Sequence, residues 1–205
     1  MSMTKTTFKL STTEKRATFS LASIFAMRML GLFMIIPVFS LYAHELKHVT
    51  PFLLGLALGC YGLTQALLQI PFGFLSDKYG RKRIIALGLI IFAIGSVIAA
   101  LSDSIWGVII GRCLQGAGAI GSTTIALLAD LTTEQNRSKA MAVMGISIGT
   151  TFSLAMIIGP ILNSVINVTG IFWLTALLAC FALWLLYQYV PNPAKIIIHP
   201  EVETT

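Results

Sequence analysis

The residues best placed for chemistry lie in a short charged stretch, Gly73 through Arg83, flanked on both sides by apolar segments long enough to cross a bilayer. Gly73 and Gly80 permit a tight turn, Asp77 stands where the first segment ends, and Lys78, Arg81, Lys82 and Arg83 follow within six residues. A loop retained on the cytoplasmic side by its positive charge would need the cations but neither the aspartate nor the glycines. With helices alternating in direction, Asp77 and Asp130 both fall at helix C-termini on the same face, where the macrodipole disfavours a carboxylate. Arg81 is the natural compensating cation, because its planar fork can serve two carboxylates at once. The alternative is three solvated loop charges.

Two further arginines lie inside apolar segments. Arg28 is about ten residues into the first, roughly 15 Å deep at 1.5 Å per residue. A charge near the bilayer centre costs from about 2.5 kcal/mol upward, so such a residue normally faces a bundle interior or a watery cavity and serves a function. Arg112 is shallower and could instead satisfy helix-end carbonyls. Tyr61, Gln65 and Gln69 recur every four residues with Thr64 beside them, one polar stripe along the second segment. That stripe reads as a cavity wall or as hydrogen bonding between neighbouring helices. His44 and His48 share an i, i+4 spacing but have no further ligands nearby, and Cys60, Cys113 and Cys180 lack metal-ligand spacing, so no metal site is expected and the cysteines read as packing residues.

Positioning these groups requires membrane helices. Of 205 residues, 56% are apolar and only 11% charged, which excludes an ordinary soluble domain. The net charge of +6 sits in tails and loops between apolar runs rather than on one soluble face, so nucleic acid is not an expected partner; the lipid bilayer is. Six spans are expected, at about 17–42, 52–72, 82–101, 106–130, 134–164 and 171–190, with capping boxes at Ser11-Thr12-Thr13-Glu14 and Thr132-Thr133-Glu134-Gln135, and a bend at Gly159-Pro160. Residues 1–13 form a tail, 14–190 the all-α six-helix transmembrane bundle, and 191–205 a tail or linker. The first span exceeds a signal peptide's core and contains Arg28, which argues against cleavage. Eleven of the fourteen Lys and Arg residues fall on one side and only Lys47 on the other, so both termini are expected in the cytoplasm. Small-residue pairs Gly55/Gly59, Gly107/Gly111, Ala117/Gly121 and Gly145/Gly149 allow close helix approach, and Trp106, Trp173, Trp184 and Tyr187 suit membrane interfaces.

The pattern Gly-x-Leu-Ser-Asp-Lys-x-Gly-Arg-Lys-x-Ile over 73–84 resembles the signature between the second and third helices of the major facilitator superfamily of secondary transporters. Arg112-Cys113-Leu114-Gln115-Gly116-Ala117-Gly118 resembles its fourth-helix motif, and Gly159-Pro160 the core of its fifth-helix antiporter motif, although Ala155 and Asn163-Ser164 stand where that motif has glycines. The likeness spans 14–191 and implies one half of a twelve-helix fold in a bacterial inner membrane. It further implies a conformational latch at Gly73, Asp77, Gly80, Arg81 and Asp130, and proton coupling linked to Arg112. Arg28, Arg112, Tyr61, Gln65 and Gln69 become the candidate substrate and proton path. No nucleotide-binding loop is present, so an ion gradient is the expected drive, with no cofactor and no catalysis. The expected activity is proton-coupled efflux of a small molecule by alternating access, together with a second six-helix bundle from the same chain, another chain or a second copy. A non-transporting membrane scaffold or accessory protein derived from such a half is the rival reading.

Overall fold

The structure, a computed structural model, describes residues 10–42 and 46–192. Its described residues form seven helical segments: α1 Thr12–Ile35, α2 Phe39–Tyr42, α3 Pro51–Tyr79, α4 Arg81–Ala100, α5 Ile105–Ala117, α6 Gly121–Asp130 and α7 Glu134–Tyr189. Four of them, α1, α3, α4 and α7, are individually long and apolar enough to cross a membrane.

The expected spans differ from these segments at three places. Pro37, which lacks a backbone N–H, divides the first span into α1 and α2. The second does not stop at residue 72 but continues through Pro71 to Tyr79, so Asp77 lies in the last turn of α3 and not beyond it. Beside this proline α6 packs closely on α3: the Ser122 hydroxyl donates to Gln69 O at 2.9 Å and the Thr123 hydroxyl to Phe72 O at 3.4 Å. The fourth span breaks at residues 118–120 into α5 and α6. Helical backbone geometry persists through Gly159 and Pro160, where a bend was expected, and the turn between the fifth and sixth spans falls at Asn167, with φ 57° and ψ 176°, inside the expected gap between 164 and 171.

Contacts between helices define the directions. Glu14 at the start of α1 bonds Thr133 and Asn136 at the start of α7, while Arg16 bonds Gln188 O at its end, so α7 doubles back at Asn167. Its two arms both flank the far part of α1, Gly159 against Met34 and Thr175 against Gly31. The α5–α6 break leaves the rod straight: Gly116 meets Tyr61, Gly121 meets Gln69, and both helices run parallel to α3. Lys82 reaches Val190 O at 2.8 Å. The ends of α1, α3, α4, α6 and α7 that carry Lys15, Arg16, Lys78, Arg81, Lys82, Arg83, Arg137 and Lys139 therefore lie together. Lys47 is at the opposite end, where its N–H donates to Asp103 O at 3.0 Å and its carbonyl accepts from Ile105 N at 3.2 Å.

Glycines set the closest approaches. A Cβ at Gly111 would lie 2.6 Å from Gly95 O, and one at Gly118 2.3 Å from Gly88 O, so only glycine lets α4 and α5 meet backbone to backbone. Gly55, Gly59, Gly145 and Gly149, expected to play the same part, have no atom within 4 Å of such a Cβ among the described residues. The apolar core forms two clusters. One holds Leu21, Phe25, Ile85, Leu89, Phe92, Leu127 and Leu186 towards the cation-rich end, and the other Met34, Phe39, Ala57, Ala99, Ile105 and Phe172 beyond it.

Candidate functional site

At the cation-rich end the chain reverses on a single residue, Gly80, whose φ of 97° favours glycine. It closes α3 by donating its N–H to Ser76 O at 3.0 Å. Gly73, paired with it in the sequence reading of the turn, lies inside α3, where a Cβ would stand 3.7 Å from the Ser122 hydroxyl. The one-residue turn directs Arg81 back over the end of α3. Its Nη1 lies 2.9 Å from Asp77 Oδ1 and donates to the Ser76 hydroxyl at 3.3 Å, and its Nε donates to Asp130 Oδ2. One guanidinium thereby ties the C-terminal ends of α3 and α6. Both carboxylates are at the negative ends of their helices, so the cation offsets two unfavourable placements. The partners are unequally shielded: the side chains of Arg81, Asp130 and Asp77 are 23%, 32% and 62% exposed.

Deeper in the bundle, where the two apolar clusters meet, Arg28 and Arg112 are each 1% exposed. Both approach Tyr61, the Arg28 Cζ 5.8 Å and the Arg112 Cζ 4.8 Å from its ring centre, and Arg28 also lies 5.2 Å from the ring centre of Phe92. The aromatic faces supply the negative potential that cations seek. Arg112 donates to Ala57 O at 3.4 Å and to Gln115 Oε1 at 2.9 Å; Gln115 passes a hydrogen bond to the Ser96 hydroxyl at 2.8 Å, which donates to Phe92 O at 2.8 Å. Among the described residues Arg28 has a single hydrogen bond, from Nη2 to Gln65 Oε1 at 3.2 Å, and its Nε and Nη1, like the Tyr61 hydroxyl, have no partner there. Neither arginine forms an ion pair among the described residues.

The stripe on α3 thus divides between neighbours. Tyr61 faces the arginines, Gln65 binds Arg28 and Gln69 lies beside Gly121, lining with Asp77 and Ser122 a groove of about 350 Å³ between α3 and α6. Gly159, against the backbone of Met34, and the exposed Pro160 stand apart from these groups. His44 lies outside the described residues, so the histidine pair cannot be placed, and no cluster of three potential metal ligands occurs among the described residues. Cys60 is buried as expected of a packing residue, with its thiol donating to Ala57 O at 3.4 Å, whereas Cys180 is exposed on the outer surface.

Three participants escaped sequence reasoning. Gln115 shares a helix face with Arg112 at i, i+3, a signal that was legible. Ser96 carries no such signal. Glu14 was read only as the partner of Ser11, and it does accept from Ser11 N at 2.8 Å. It also accepts from Thr133 N at 2.8 Å, the Thr133 hydroxyl at 2.8 Å and Asn136 Nδ2 at 2.9 Å. The capping box expected within 132–135 is absent: Thr133 is the N-cap of α7 but makes no side-chain cap of its own, and the carboxylate of Glu14 takes that part from α1.

The family model for the Major Facilitator Superfamily matches residues 21–203. The chain is 51% identical over 194 residues to the inner membrane transport protein YajR of Escherichia coli K12, covering 95% of this chain and 43% of that protein. It is 45% identical over 185 residues to the uncharacterized transporter BU466 of Buchnera aphidicola, covering 90% of this chain and 47% of that one. Among solved structures it resembles the human organic anion transporter MFSD10 with a TM-score of 0.72 at 21% identity, over 89% of this chain and 49% of that chain, a likeness of fold alone. The chain spans less than half the length of these relatives. By the extent of the family match and the identity to these relatives, the chain belongs to the major facilitator superfamily of membrane transporters.

Proposed function

We propose that this chain is the amino-terminal six-helix bundle of a secondary transporter that moves a small molecule by alternating access, as proton-coupled efflux across a bacterial inner membrane. The six spans are α1 with α2, α3, α4, α5 with α6, and the two arms of α7. The cation-rich end faces the cytoplasm, in keeping with the positive-inside bias. Asp77, Arg81 and Asp130, hinged on Gly80 and backed by Gly73, act as a latch for one access state. Arg28, Arg112, Tyr61, Gln65 and Gln69 line the path for substrate and protons.

The observation that carries this reading is the pair of arginines converging on Tyr61 with, among the described residues, no acid paired to them and no partner for two donors of Arg28. A scaffold gains nothing from two such charges, since apolar residues of similar size would hold the bundle as well or better. A path that carries polar solutes or protons needs them. The second bundle is supported by the length of the relatives and by the uncovered glycine faces of α3 and of the first arm of α7.

The test is transport in everted vesicles of cells expressing the chain with and without a supplied second bundle, reading collapse of a preset proton gradient as each of a panel of toxic compounds and sugars is added. Gradient collapse that needs both bundles, and that Arg28→Gln or Arg112→Gln abolishes at equal membrane levels, is the expected result. No response to any compound at normal expression overturns it.

A further inference from the structure

The first turn of α4 and the last turn of α7 border a cavity of about 600 Å³ lined by Tyr79, Lys82, Arg83, Tyr187 and Asn192, together with Arg81. Arg81 is engaged by Asp77 and Asp130, which leaves Lys82 and Arg83 as the charges offered to an occupant. Lys82 is held there, its Nζ donating to Val190 O at 2.8 Å and lying 5.5 Å from the ring centre of Tyr187. Arg83 forms no ion pair among the described residues. The N-cap of α4 is Gly80, which supplies no side-chain acceptor, and no acid lies in the first turn. Cations are therefore crowded where the helix dipole already favours an anion, a placement that an anionic ligand would relieve.

A second observation identifies the kind of anion. From this cavity α4 and the second arm of α7 run away side by side and expose large apolar side chains, Leu87, Ile90 and Ile94 on one and Leu177, Phe181 and Trp184 on the other. Tyr79 and Tyr187, 54% and 59% exposed, stand where the charged mouth gives way to that strip, as tyrosines do at the headgroup level of a bilayer. A free inorganic anion would use the cations but not the strip. We propose that this cavity binds the phosphate headgroup of an anionic phospholipid, whose acyl chains lie along the exposed apolar surface of α4 and α7. The site adjoins the latch at Gly80 and Arg81, but the two cations it offers, Lys82 and Arg83, belong neither to the latch nor to the buried arginine pair, and its test does not depend on transport.

The experiment measures binding of phosphatidylglycerol carrying a fluorescent acyl chain to the intact protein extracted in mild detergent, with unlabelled phosphatidylglycerol, phosphatidylcholine or inorganic phosphate as competitors. Saturable binding displaced by phosphatidylglycerol alone is expected. A cation near the membrane surface is worth about fivefold in affinity, so Arg83→Gln should weaken binding about fivefold and Lys82→Gln with Arg83→Gln about 25-fold. Lys47→Gln, at the opposite end, should leave it unchanged. Equal displacement by phosphatidylcholine would overturn the anion, and equal displacement by inorganic phosphate would overturn the lipid. If the double variant fails to insert, Arg83→Gln decides alone, since its exposed side chain bears on no helix contact. Binding by Arg83→Gln equal to that of the unaltered protein refutes the proposal.

Discussion

Replacing Asp130 by Asn should disturb the Arg81 cluster more than replacing Asp77, although the sequence pattern draws attention to Asp77. Both substitutions leave a neutral amide of the same shape. A charge-assisted hydrogen bond in partly buried surroundings is worth roughly 1.5–3 kcal/mol, whereas an exposed i, i+4 pair contributes about 0.3–0.5 kcal/mol. Asp130, at 32% side-chain exposure, belongs near the lower end of the first class; Asp77, at 62%, belongs to the second. Since about 1.4 kcal/mol is tenfold in a two-state population, Asp130→Asn should shift the access equilibrium about tenfold and Asp77→Asn about twofold. Arg81→Lys should resemble Asp130→Asn, because an ammonium cannot fork between two carboxylates. The assay is the rate of thiol labelling at Ser122→Cys, in the α3–α6 groove beside Asp77, in a protein with Cys60, Cys113 and Cys180 replaced by serine. Labelling is compared at equal membrane expression. An unchanged rate in Asp130→Asn, or a larger effect from Asp77→Asn, would refute the reasoning.

Glu14→Ala removes the shared cap of α1 and α7 and leaves Thr133 N and Asn136 without their acceptor, so it should lower stability by about 2 kcal/mol, read as a lower Tm in detergent; Lys15→Ala in the same turn should have little effect. Gly116→Ala, whose Cβ would stand 2.2 Å from Tyr61 O, should destabilise the α3–α5 contact by about 1–3 kcal/mol. Gly145→Ala, with nothing within 4 Å, should be neutral or slightly stabilising in the same melt. A fall in Tm for Gly145→Ala equal to that for Gly116→Ala would show that its face is covered within this chain.

Amino-acid order alone determined the class of the molecule, because a bilayer admits only segments that satisfy their own backbone and that are apolar for long enough to span it. Charge segregation between the two ends followed for the same reason, the cations other than Arg28 and Arg112 being confined to the tails and the turns between apolar runs. That Arg28 needed a protein interior was equally legible from the cost of a charge at its depth. Partnership, by contrast, was a matter of tertiary structure. Nothing local distinguishes Gly111, pressed against Gly95, from Gly145, which meets no neighbour among the described residues, because the difference lies in which helix stands opposite. Glu14 looked complete with Ser11, and only packing of α7 beside α1 brought Thr133 to its second oxygen and Asn136 to the oxygen it shares with Ser11. The chain turned at Asn167, inside the expected gap between the fifth and sixth spans, whereas helical backbone geometry ran on through the Gly159-Pro160 pair where a bend was expected, with Gly159 packed against the backbone of Met34. Local propensity proposes where a helix could end; the neighbour it must pack against decides where it does.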